Sequence, residues 1–277
     1  MKKFKVGLQL YSVRDEMAKD LEATLKAVKE MGYDYVETAG YFNRTAEEFR
    51  ALLDKYDLTC VSVHQGLDFY EQKGQAGVDY IKTLGAEISV IPWYEKSKLP
   101  GTAAWEETKA RFIRFAELLK KNGVDMYYHN HDFEFEMVDG KYKYDIMMEE
   151  ISRDLMKPEF DTCWVRYAGE DPIKYIRAYA GNVRILHLKD FVCKKLASGP
   201  AYALIDENGK PIEPTSKEDN GFAFRPLGQG MQDFPAILSA AEAAGTEYII
   251  VEQDNPNELP SLEAARQSRE YLRSIGQ

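Results

Sequence analysis

The chain has four histidines, and each stands at or just past the end of a short apolar run. They are His64, the pair within His129-Asn130-His131-Asp132-Phe133-Glu134, and His187 within His187-Leu188-Lys189-Asp190. Carboxylates stand in the same kind of position at Glu37, at Asp161 and in Glu252-Gln253-Asp254. Imidazole nitrogens and carboxylate oxygens suit Mn, Co, Zn, Ni or Fe, and a site made from three or four of them leaves coordination positions open to a substrate. These residue types predict one divalent metal ion (Mn, Co or Zn) as the cofactor. A single histidine in such a place is explained equally well as a hydrogen-bonded structural residue, but four favour a shared site. The tyrosines, the methionines and the Glu149-Glu150 pair read instead as core or as solvated helix faces.

Residues so far apart in sequence need a scaffold that brings run ends together. Eight β-type runs are predicted: Lys5–Tyr11, Tyr33–Thr38, Thr59–His64, Glu87–Pro92, Asp125–His131, Pro158–Trp164, Val183–Leu188 and Glu247–Glu252. Helix-period segments lie between them, with stripes such as Leu21, Leu25 and Val28 or Phe112, Phe115 and Leu119, which belong to the core. Five of these segments stop at Gly32, Gly85, Gly123, Gly181 and Gly245, since glycine relieves the left-handed conformation that ends a helix. Thr45 and Glu48 have capping-box spacing, and Asp171-Pro172 supplies an N-cap with proline at the first helical position.

Eight strand–helix units in 277 residues predict a single α/β domain over 1–277, a (β/α)8 TIM barrel, whose chemistry lies where the strands end. A doubly wound sheet would carry a glycine-rich phosphate loop after its first strand, and Gln9-Leu10-Tyr11-Ser12-Val13-Arg14 is not one. A long loop insertion is expected near 191–230, just after the seventh strand, as a substrate loop or an ordinary surface insertion.

Composition narrows the classes. With 44% hydrophobic and 30% charged residues the chain reads as soluble, with no run long enough for a membrane span. The amino-terminal stretch carries no secretion signal, and three widely spaced cysteines give neither a disulfide framework nor a zinc ribbon, so a cytoplasmic location is expected. A net charge of −10 would repel a phosphate backbone, so nucleic acid is not an expected partner. A homo-oligomer is possible, with Trp93 and Trp105 as interface or core residues.

The stretches Gly7-Leu8-Gln9-Leu10-Tyr11-Ser12-Val13-Arg14, Tyr35-Val36-Glu37-Thr38-Ala39-Gly40-Tyr41, Tyr128-His129-Asn130-His131-Asp132-Phe133-Glu134-Phe135, Asp161-Thr162-Cys163-Trp164, His187-Leu188-Lys189-Asp190 and Pro226-Leu227-Gly228-Gln229-Gly230 resemble the sugar phosphate isomerase/epimerase family with a xylose isomerase-like barrel. The resemblance spans essentially the whole chain. It implies a metal held by Glu, Asp, His and Glu from the fifth to eighth strands, and Asp161, His187 and Glu252 match three of these positions. The fifth departs, because His129 stands where many relatives have Glu. Either His129 replaces that acid, or Glu134 reaches back as the ligand.

The implied activity is a divalent-metal-dependent isomerase or epimerase of a sugar, keto-sugar or sugar phosphate. It would work by α-proton abstraction and an enediolate, with Glu252, His129 and Glu134 as catalytic candidates. Glu37, His64, His131, Lys189 and Arg225 are the candidate substrate contacts. The His129 departure puts the family's symmetrical two-glutamate proton exchange in doubt and adds weight to a dehydratase of a keto-sugar or inosose acting by β-elimination. A non-catalytic sugar-binding barrel is a further reading. An apurinic endonuclease of the same superfamily would need more histidines and a basic face.

Overall fold

A computed structural model describes residues 2–196 and 220–277. Eight parallel strands close into a barrel: β1 (Lys5–Gln9), β2 (Tyr35–Ala39), β3 (Thr59–His64), β4 (Ile88–Ile91), β5 (Asp125–His129), β6 (Met156–Asp161), β7 (Ile185–Leu188) and β8 (Tyr248–Val251). Each strand pairs with its neighbours in chain order, and β1 closes the ring on β8 through Lys5↔Tyr248 to Leu8↔Val251. The chain is therefore a single (β/α)8 TIM barrel with helices around it.

The predicted helix signals operate as local chemistry requires. Gly32, Gly85, Gly123, Gly181 and Gly245 all have φ between +77° and +89°, a region closed to most side chains. Thr45 and Glu48 form the reciprocal capping box, and Asp171 caps the helix that begins at Pro172. Phe112 and Leu119 are fully buried between barrel and helix layer, where truncating such a side chain to Ala typically costs about 3–5 kcal/mol.

The sixth run ends earlier than predicted. β6 stops at Asp161, and Thr162–Tyr167 is a helix. Asp161 causes the break, because its Oδ1 accepts from the backbone N–H of Cys163 at 2.8 Å and of Trp164 at 3.2 Å. This is a side-chain N-cap that satisfies two donors a helix start leaves open. β5 likewise ends at His129 rather than His131, and a 3-10 turn follows at Phe133–Phe135.

Alternation of side chains along a strand builds the site in layers. Inside the barrel, Val61, Ile88, Val90, Tyr127, Ile185, Tyr248 and Ile250 form an apolar cluster with Tyr35 packed against it. Two residues further along the same strands stand Glu37, His129, His187 and Glu252. The polar layer therefore rests on an apolar floor, with its side chains on the inner face.

Of the expected 191–230 loop, the described part forms an antiparallel pair, Asp190–Val192 with Ala223–Arg225, and 197–219 lie outside the described residues. Among the described residues no helix is long and apolar enough to cross a membrane.

Candidate metal and acid–base site

Ligand atoms of His129, Asp161, His187 and Glu252 lie within 4.8 Å of one another at the C-terminal ends of β5 to β8. All four side chains are buried. Asp161 divides its duties: Oδ1 caps the following helix, while Oδ2 faces His129 Nε2 at 3.5 Å and the Lys189 ammonium at 2.9 Å. Lys189, two residues past His187, also contacts Glu252 at 2.8 Å and Asp254 at 2.9 Å.

A second tier of side chains packs against this quartet. Glu159, two residues before Asp161, places Oε2 2.9 Å from His64 Nε2, 3.2 Å from His129 Nδ1 and 3.3 Å from His187 Nε2. Glu37 Oε1 lies 2.7 Å from His187 Nε2 and 2.9 Å from His64 Nε2, and it accepts from Gln9 Nε2 at 2.6 Å. His187 thus spans both tiers, with Nδ1 3.0 Å from Glu252 and Nε2 turned to Glu37.

Burial and charge set the protonation states. Burial disfavours the charged form of His64, but Glu37 and Glu159 outweigh it and raise the group to about 10. His187 is raised for the same reason, against burial, by Glu159, Glu37 and Glu252. Burial, reinforced by His187, drives His129 well down, and burial with Lys189 brings His131 to about 3, so both rings are neutral at physiological pH. Burial pushes Glu159 up to about 7, with Glu37 adding to it. For Glu252 burial is overcome by Lys189 and His187, which hold the carboxylate ionised.

The donor set fits a divalent ion. Two imidazoles and two carboxylates converge from four strands, and the Lys189 ammonium held among their carboxylates shows that this place favours positive charge. His129, Asp161, His187 and Glu252 would hold the metal.

Above the quartet opens a cavity of about 280 Å³, lined by Tyr11, Ala39, Gly40, His64, Pro92, Trp93, His129, His131, Lys189, Glu252 and Asp254. The structure thus brings His64, His131 and Lys189 to the cavity and places Glu37 below its floor. It does not bring Glu134 to the quartet. That carboxylate accepts from the Tyr128 hydroxyl at 2.7 Å and from the His131 N–H at 2.8 Å, so both oxygens are committed inside the 3-10 turn, and His129 is the fifth-strand residue that lies in the quartet. Nor does Arg225 reach the cavity. It donates to the Phe224 carbonyl and lines a separate groove with Pro226, Pro256 and Asn257, because its strand pairs with Asp190 on the outer hairpin.

Sequence reasoning missed Glu159, Gln9 and Tyr11 and assigned Trp93 elsewhere. The alternation Glu159-Phe160-Asp161 carried a usable signal, since a second acid at period two shares the inner face.

The family model described as xylose isomerase-like TIM barrel matches residues 25–275. Among curated relatives, the inosose dehydratase of Lacticaseibacillus casei is 26% identical over 272 residues, covering 89% of this chain and 88% of that one. The inosose dehydratase of Clostridium perfringens is 22% identical over 271 residues, covering 87% and 85%. Among solved structures, a sugar phosphate isomerase/epimerase from Parabacteroides distasonis superposes with a TM-score of 0.76 at 20% identity, covering 100% of this chain and 96% of that one. With a closed eight-stranded barrel and a family match over nearly its whole length, the chain belongs to the xylose isomerase-like TIM barrel family.

Proposed function

We propose that this protein is a metal-dependent lyase that removes water from a keto-cyclitol such as an inosose, or from a related keto-sugar. The observation that carries this reading is the Lys189–Glu252 contact of 2.8 Å at the cavity floor. It pairs a carboxylate base and an ammonium acid on one side of the substrate space.

A divalent ion held by His129, Asp161, His187 and Glu252 would polarise the ketone and its neighbouring hydroxyl, making the α-proton acidic enough for a carboxylate to remove. Glu252 takes that proton. Lys189 donates one to the β-hydroxyl, which leaves as water as the carbon–carbon double bond forms, and the proton on Glu252 returns across the 2.8 Å contact to restore Lys189. Tyr11 and Trp93 give the cavity apolar walls against which the C–H face of a ring can pack.

Epimerisation needs a second base facing the opposite side of the α-carbon. The carboxylates lining the cavity among the described residues are Glu252 and Asp254, both just past β8 and both bound to the same Lys189 ammonium. The fifth-strand position holds a neutral His129 instead. This asymmetry favours elimination over the isomerase/epimerase reading. The names of the curated relatives support the same substrate class.

Incubation of the metal-loaded protein with inososes and ketoses, followed by ultraviolet absorbance and proton NMR, tests the assignment. The expected product has lost water and absorbs as a conjugated carbonyl, and Glu252→Gln abolishes it. Formation of an epimer or an aldose–ketose isomer without loss of water would restore the isomerase/epimerase reading. Tight binding with no solvent exchange of the α-proton would point to a sugar-binding barrel.

A further inference from the structure

We propose that Glu159 is the positioning carboxylate of this site, and that it compensates for the histidine at the fifth-strand ligand position by fixing which nitrogen of His129 faces the metal. The inference rests on the metal reading above and adds to it a residue that does not itself touch metal or substrate.

The geometry is directional. His129 and Glu159 are register partners on β5 and β6, so the pairing of the strands itself sets the acid beside the ring. His129 Nδ1 points down to Glu159 Oε2 at 3.2 Å, while Nε2 points up, 3.5 Å from Asp161 Oδ2 and 3.8 Å from Glu252 Oε2. A neutral imidazole has one N–H and one lone pair, and an ionised carboxylate can only accept. In its ionised form Glu159 places the proton on Nδ1 and leaves the Nε2 lone pair aimed at the quartet.

A neutral imidazole at a position where a carboxylate is otherwise expected leaves the quartet one negative charge poorer. A carboxylate that accepts from the distal N–H of a ligand histidine raises the basicity of the ligating nitrogen and holds the ring in place. An ionised Glu159 thus returns the missing charge on the next strand, where it acts through His129. Glu37 stands in the corresponding relation to His187, tied down by Gln9.

The same atoms admit one rival. His64, His129, Glu159 and His187 also offer ligand atoms within 4.8 Å of one another, so the second tier would itself be able to take an ion. His129 would then have to spend its Nδ1 lone pair there. A neutral ring has only one lone pair to give, so the two uses exclude each other.

The test compares the full chain with Glu159→Gln and Glu159→Leu, each first checked for an unchanged thermal melt. Mn2+ and Zn2+ affinity is measured by calorimetry, and the His129 tautomer of the metal-free chain by long-range 1H–15N spectra of the imidazoles. The expected result, read at alkaline pH where Glu159 is ionised, is the Nδ1–H tautomer in the wild-type chain and its loss in Glu159→Leu. Metal affinity should fall by about 10–100-fold in Glu159→Leu and by a smaller factor in Glu159→Gln, whose amide is a weaker acceptor. If Glu159→Leu does not fold, Glu159→Gln decides by the same affinity measurement. Wild-type affinity in a folded variant, or an unchanged tautomer in Glu159→Leu, overturns the inference and leaves the metal reading standing. Two ions in the wild-type chain with one lost in the variants overturns it in favour of the second-tier metal site. A wild-type chain that binds no metal refutes the metal reading itself, while the tautomer spectra still report on Glu159.

Discussion

The Lys189 ammonium stands 2.9 Å from the Oδ2 oxygen of Asp161, the same oxygen that faces His129. A buried ammonium and a divalent ion therefore draw on the same carboxylates. Both Asp161 and Glu252 would serve the metal, and both pair with Lys189.

Replacing Lys189 with Met should destabilise the metal-free chain by about 3–5 kcal/mol, the usual cost of leaving buried charges without their partner. An added divalent ion then supplies the missing positive charge, so Mn2+ or Zn2+ should raise the melting temperature of Lys189→Met by more than that of the wild-type protein. Melts in EDTA and in saturating metal check this. Equal melting temperatures in EDTA would contradict it.

Asp190 anchors the Pro226-Leu227-Gly228-Gln229-Gly230 turn. Its Oδ1 accepts from the N–H of Phe191 at 2.9 Å and of Gln232 at 3.2 Å, and its Oδ2 from Gly228 at 3.0 Å and Gly230 at 2.9 Å. A Cβ at Gly230 would collide with this carboxylate. Asp190→Ala should cost about 1–3 kcal/mol through donors left without an acceptor. Amide exchange at Gly228 and Gly230 should accelerate, with Asp190→Asn intermediate.

Glu134 gives a pH prediction of definite sign. Burial pushes its carboxyl up to about 8, against hydrogen bonds from Tyr128 and His131 that favour ionisation. The folded chain thus binds this proton more tightly than the unfolded chain. Its contribution to stability is complete below the ordinary value of 4.5 and is lost as pH rises through about 8. Glu134→Gln mimics the protonated acid. It should match the wild-type melting temperature near pH 4 and exceed it near pH 9, and an identical pH dependence in the two proteins would contradict the shift.

Much of this was legible in the sequence because local rules acted without competition. Gly85 and Gly245 end helices for a reason internal to the backbone, and Thr45 with Glu48 caps one through residues three apart. Asp161, His187 and Glu252 stood out by their place at strand ends, and the barrel brings them together. The misplacements arose where a side chain answered to a partner that spacing does not reveal. Asp161 ended β6 by capping the next helix, and Glu134 folded back onto Tyr128 and His131. Arg225 followed the pairing of its hairpin with Asp190. Glu159 carries no strand-end signal of its own, because it reaches the inner face two residues before Asp161, where the strand actually ends.

The most direct test of the central claim is the divalent-metal content of the purified, unchelated protein beside Asp161→Ala. Asp161 Oδ2 faces both His129 and Lys189 at the centre of the quartet. About one Mn, Co or Zn ion per chain in the wild-type protein, lost in Asp161→Ala while the barrel stays folded, is the predicted result. No bound metal in the wild-type protein, even after incubation with all three ions, would contradict the site and the elimination chemistry built on it.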